Sequence, residues 1–230
     1  MTTYGLVHGA WHSGWHWHPL VAELTRRGHR AVAVDLPCED PAAGAAEYAA
    51  QVTAALDGID GDVVLVAHSL GGLTAPVVAQ RRPVSRLVLV AALLPVPGRS
   101  LDVQAEAFAG APPMLLPGLG AGQVGHDDGS SSWQPEAAVP VLFPDSPPEL
   151  AAEAATRLRR QCWRVSQERT PLDHWPDVPT EYVLCAGDGV VNPAWSRWAA
   201  VELLGSLPRE LPGDHSPFLS RPADLADLLT

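Results

Sequence analysis

Ser69 lies in Ala67-His68-Ser69-Leu70-Gly71, with a small residue two positions before it and a glycine two positions after. That spacing suits a serine on a sharp turn between a strand and a helix, where the backbone is strained and the hydroxyl stands above the sheet edge. Small neighbours are needed because such a turn brings their backbones into contact. A serine hydroxyl is a weak nucleophile at its free pKa; it needs an adjacent base, and the base needs an orienting carboxylate. Asp188, in Gly187-Asp188-Gly189, and His215, in Gly213-Asp214-His215-Ser216, are the candidates further along the chain. Asp214 competes for the carboxylate role, but it adjoins His215 in sequence and is expected to set the loop. Attack on a carbonyl places negative charge on its oxygen, which two backbone N–H groups can receive. Leu70, directly after the serine, offers one. The turn His8-Gly9-Ala10-Trp11 is expected to offer the other from Ala10, with Gly9 permitting the tight turn and His8 pinning it.

Elements must carry these residues to one place. Thr3–Val7, Ala31–Asp35, Asp62–Ala67, Arg86–Ala91 and Tyr182–Cys185 are short apolar runs, the pattern of strands buried on both faces. A further short strand is expected near Leu207–Leu211. Helical spacing fills Pro19–Arg27, Ala45–Leu56 and Leu70–Gln80, and a helix is expected after Asn192-Pro193 with Trp195, Trp198 and Ala199 on one face. Pro76 falls inside the third of these and predicts a kink or offsetting packing. Ser146-Pro147-Pro148-Glu149 has capping-box spacing and predicts a helix to about Arg160, and another helix should follow Ser216-Pro217. Alternating strands and helices predict one α/β domain over 1–230: a mostly parallel sheet of about six strands, helices on both faces, and a cap inserted after the fourth strand. The core would be 1–94 and 180–230, and the Pro-, Gly- and Ala-rich stretch 95–179 the cap. Asp188 then falls at a strand exit and His215 in the loop after the last strand, where a parallel sheet delivers side chains to a site.

Composition narrows the chemistry. The formal charge of −11 argues against nucleic acid or an anionic membrane surface as partner. All 15 basic residues are Arg, so Schiff-base chemistry and a lysine-bearing phosphate loop are excluded. Cys38, Cys162 and Cys185 are odd in number and lack CxxC spacing, which indicates neither a disulfide framework nor a zinc knuckle. No apolar run is long enough for a membrane span, and no basic and apolar leader precedes the first strand, so a cytoplasmic address is expected. His16 and His18 lack a carboxylate or cysteine that would complete a metal site. No metal or other cofactor is expected.

Leu6-Val7-His8-Gly9-Ala10-Trp11, Ala67-His68-Ser69-Leu70-Gly71-Gly72, Asp188 and Gly213-Asp214-His215 together resemble the α/β-hydrolase superfamily. Within it, the chain is similar to the branch of plant methyl-ester esterases, hydroxynitrile lyases and small bacterial esterases. The resemblance covers nearly the whole chain, more loosely through the cap. It implies the chain order Ser, Asp, His, a sheet lacking the first two strands of larger members, no cofactor, and an acyl-enzyme on Ser69. Hydroxynitrile lyases of the branch carry a lysine just after the histidine and a threonine in the early loop; Ser216 and Ala10 stand there, so the esterase reading leads. A small or medium hydrophobic carboxylic ester or lactone is the expected substrate. Trp11, His68 and Phe218 are expected to border it by proximity, and Trp133, Phe143 and Trp163 to pack the cap or line a pocket. The alternatives are a tailoring enzyme of secondary metabolism opening or closing lactones or thioesters on the same residues, and a non-catalytic ligand receptor of this fold.

Overall fold

The computed structural model describes residues 1–108 and 110–230, apart from the side chains of residues 105–107. Five apolar segments form β1 (Thr3–Val7), β2 (Arg30–Val34), β3 (Val63–His68), β4 (Arg86–Val90) and, much later, β7 (Thr180–Cys185). With β8 (Arg209–Leu211) they make one six-stranded sheet in the order β2-β1-β3-β4-β7-β8, every neighbouring pair parallel. β3 is buried along its whole length, as a strand covered on both faces must be.

The helices between the strands are α1 (His18–Arg26), α2 (Ala45–Ala55), α3 (Ala75–Arg81) and α8 (Pro193–Leu204), and the chain ends with α9 (Pro217–Ser220) and α10 (Pro222–Leu229). α1 packs with α9 and α10, whereas α2 packs with α3, and α8 lies on β7. Asn192 caps α8 by accepting from the Ala194 N–H at 3.0 Å, as its sequence predicts. Between β4 and β7 the inserted stretch holds α4 (Leu101–Ala107), the hairpin β5 (Gln123–Gly125) and β6 (Ser131–Trp133), α5 (Pro135–Leu142), α6 (Pro148–Thr156) and α7 (Arg164–Gln167). No helix among the described residues is long and apolar enough to cross a membrane.

Two local expectations are corrected. Residues Ser69–Leu73 form a 3-10 turn and α3 starts only at Ala75, so Pro76 occupies a first-turn position where no N–H is missed, and no kink results. The Ser146 box does not form: Ser146 Oγ is buried without a partner among the described residues, Pro147 takes the N-cap position, and the helix ends at Thr156 rather than near Arg160. Pro147, with its fixed φ, takes the extended cap conformation itself and shifts the helix start by one residue, which moves Ser146 out of the capping position.

Candidate active site

β1 and β3 are neighbours, but the chain passes from β1 outward to β2 before returning on the other side to β3. The carboxyl ends of β1 and β3 therefore flank the point where the strand order reverses, the crevice where open parallel sheets bind ligands. Ala10 follows β1, Ser69 follows β3, Asp188 follows β7 and His215 follows β8, all on this one edge.

Ser69 has φ 51, a left-handed conformation that is uncommon for a residue with a side chain. This strain is what a serine raised on a strand-to-helix turn requires. The turn is tight enough that a Cβ on Gly71 would stand 2.6 Å from the His8 carbonyl, and one on Gly9 would stand 2.7 Å from the Ser69 Cβ. The early loop and the serine turn are thus in direct contact, and glycine is needed on both sides. The Ser69 carbonyl accepts the Leu93 N–H at 2.9 Å, just past Ala91, which also has positive φ (45°). Nothing in the sequence around Ala91 signalled that strained support.

His215 Nδ1–H donates to Asp188 Oδ2 at 2.8 Å, with both side chains buried. The other Asp188 oxygen accepts the N–H groups of Val190 (2.7 Å) and Val191 (3.0 Å). These bonds orient the carboxylate and stabilise its charge. Asp214 faces elsewhere: it accepts from the N–H groups of Asp145 and Ser216 (both 3.1 Å) and from Ser220 Oγ (2.8 Å). Burial pushes its carboxyl up from the usual range. Ser69 Oγ makes no hydrogen bond among the described residues, and Ser69 is 7% exposed. An open serine–histidine link is common before substrate arrives.

Ala10 N–H has no acceptor among the described residues, and Leu70 N–H belongs to the second residue of a turn, where no acceptor within the turn is available. His8 bridges its loop to β2: Nδ1–H donates to the Gly9 carbonyl (2.8 Å) and Nε2 accepts the Leu36 N–H (3.0 Å). Burial lowers its pKa to about 4. The same cause lowers that of His16 to about 4 and those of His12 and His68 well below the usual value. The imidazoles packed behind His215 are therefore neutral at pH 7.

The expected substrate border is corrected in two places. His68 is fully buried, and its Nε2–H donates to the His215 carbonyl at 2.8 Å. Phe218 packs against Trp17, His12 and the far side of His68. Both support the histidine loop from behind, because residue 68 still belongs to β3, where successive side chains point to opposite faces. Phe143 is likewise core, packed on His12 and His16. Trp11 remains beside the site, edge-on to Trp133 and Trp163 at 5.6 and 5.3 Å. A cavity of about 350 Å³ lined by Pro117, Leu119, Pro140, Pro144, Gly187 and Gly189 borders the Asp188 loop and does not reach Ser69. His16 is held by Ser13 N–H (3.0 Å) and the Ala154 carbonyl (3.2 Å), and His18 by the Trp15 carbonyl (3.0 Å).

Residues 6–228 match the Alpha/beta hydrolase family. Among curated relatives, Esterase PIR7B of Oryza sativa subsp. japonica is 29% identical, the match spanning 97% of this chain and 92% of that one. Methyl jasmonate esterase 1 of Vitis vinifera is 27% identical over 97% of this chain and 94% of its own. Among solved structures, a pyrethroid hydrolase from Sphingobium faniae JZ-2 superposes with a TM-score of 0.81 at 25% identity, covering 99% of this chain and 95% of that one. Polyneuridine aldehyde esterase shares the fold at a TM-score of 0.80 and 22% identity, covering 100% and 98%. With the match running almost from end to end, the chain belongs to the alpha/beta hydrolase family.

Proposed function

We propose that this carboxylic ester hydrolase cleaves a small or medium hydrophobic ester or lactone through an acyl-enzyme on Ser69. His215 takes the Ser69 proton as the hydroxyl attacks the ester carbonyl, and Asp188 holds the imidazole and stabilises the cation that forms. The N–H groups of Ala10 and Leu70 receive the oxyanion. His215 then protonates the departing alcohol and, with that alcohol gone, activates water to release the acid. The observation that carries this reading is the buried Asp188–His215 hydrogen bond on the same sheet edge as a serine with positive φ. Relatives named as esterases support ester cleavage as the reaction. The hydrophobic substrate class rests on the apolar, proline-rich insertion and on the tryptophans beside Trp11.

Hydrolysis of p-nitrophenyl acetate and butyrate by wild type and Ser69→Ala, with mass spectrometry after a fluorophosphonate probe, tests this. Turnover should fall by about 10⁵- to 10⁶-fold in the variant, and wild type should carry one label, on Ser69. Undiminished turnover in Ser69→Ala, or a label elsewhere, would overturn the assignment. Turnover confined to highly charged esters would overturn the substrate class.

A further inference from the structure

Trp11 has φ 62, a costly conformation for a bulky residue that persists only where its surroundings impose it. Each of its three polar groups is held by the insertion between β4 and β7. Its backbone N–H donates to Gln161 Oε1 at 3.3 Å, its carbonyl accepts the Arg159 N–H at 2.6 Å, and its indole N–H donates to Ser131 Oγ at 3.0 Å. Ser131 and Gln161 are joined to each other by reciprocal backbone bonds of 3.0 and 2.8 Å. The Gln161 side chain is buried, and its Nε2 donates to Tyr48 Oη (3.1 Å) and to the Cys162 carbonyl (2.6 Å). Those two acceptors fix the orientation of the amide and leave Oε1 facing Trp11.

The consequence falls on Ala10. The peptide after it is held at both ends: its N–H, that of Trp11, by Gln161, and its carbonyl by His12 Nδ1–H at 2.7 Å. The peptide before it, whose N–H is the oxyanion donor, is held at its carbonyl by His8. The two planes meet at the Ala10 Cα, so releasing the second at its N–H end loosens the first, which is then held only through the Gly9 carbonyl by His8 and the His12 N–H. We propose that Gln161 is a positioning residue that aims the Ala10 N–H, and that the insertion builds part of the oxyanion hole rather than covering a finished site. This rests on the reading of Ala10 and Ser69 as donor and nucleophile.

Gln161→Met keeps the side chain's length and removes the acceptor facing Trp11. Removing an oxyanion donor outright costs about 10²- to 10³-fold in kcat, so misaiming one should cost about 10- to 100-fold. In Gln161→Met, kcat on p-nitrophenyl butyrate should fall by that factor with KM nearly unchanged. Affinity for a trifluoromethyl ketone, which forms the tetrahedral adduct, should fall in step with kcat. Amide hydrogen exchange should rise at Trp11 in Gln161→Met and stay unchanged over residues 187–191. Wild-type kcat and ketone affinity in Gln161→Met would overturn the proposal, as would a general rise in exchange with kcat and KM both altered. A wild type that neither turns over esters nor takes the fluorophosphonate would sink the esterase reading. The exchange comparison would still decide whether Gln161 holds the loop.

Discussion

At the scale of single residues, the two buried aspartates next to the histidine loop have different work. Asp188 binds His215 Nδ1 with one oxygen and two backbone N–H groups with the other, while Asp214 binds only loop donors. Asp188→Asn replaces the acceptor facing His215 by an amide that can turn a donor towards it and favour the wrong imidazole tautomer. The expected result is a fall in kcat of about 10⁴-fold at pH 7 with the fold intact, measured as steady-state turnover beside a thermal melt. A loss below tenfold would overturn the role proposed for Asp188 as the residue that orients His215. The sequence pointed to Asp188 through its place after a strand; it could not show that His68, next to the serine, faces the back of the histidine loop. That depended on where β3 ends relative to β8, which strand spacing alone does not fix.

At the scale of elements, the loop carrying His215 is fastened to the insertion. Asp214 reaches the N–H of Asp145, between α5 and α6, and also both ends of α9 through Ser216 and Ser220. Asp214→Ala leaves these buried donors without an acceptor. It should destabilise the protein by about 2–3 kcal/mol while lowering kcat by less than tenfold, read by urea denaturation and turnover on one preparation. A kcat loss matching that of Asp188→Asn would mean that the roles of the two aspartates are exchanged. The insertion is also tied to the Asp188 loop, since Val190 and Asn192 exchange backbone bonds with Leu116 and Met114. Strands and helices of the sheet were legible because their apolar periods are strong. The hairpin β5–β6 and helices α4, α5 and α7 had no such period in a stretch crowded with proline and glycine, and tertiary contacts decide them.

For the whole molecule, the buried histidines make stability depend on pH. His8 and His16 titrate at about 4 in the folded state, against about 6.5 when unfolded, and His12 and His68 lie well below their usual value. Between these limits the unfolded chain binds more protons than the folded one, so stability rises with pH. It is complete above about pH 6.5 and is lost as pH falls towards 4, by on the order of 3 kcal/mol for each of His8 and His16. Asp214, whose carboxyl is raised, acts in the opposite sense but is one group against four. Urea midpoints measured from pH 7 to pH 4 should fall steadily across that window. A flat profile would mean that these imidazoles are charged or solvated in the folded protein.

The sequence by itself determined the alternation of apolar strands and helices, the serine between small residues, and the order in which serine, aspartate and histidine follow their strands. These are local properties, set by side-chain period, turn sterics and chain position. Only the tertiary structure decided that Trp11 is clasped by Gln161, Arg159 and Ser131, which follow it by 120 residues or more. Only it decided that His68 and Phe218 stand behind the site and that Asp214 faces Asp145. These depend on contacts between segments far apart in the chain, which form once the insertion packs onto the sheet edge and buried polar groups must find partners.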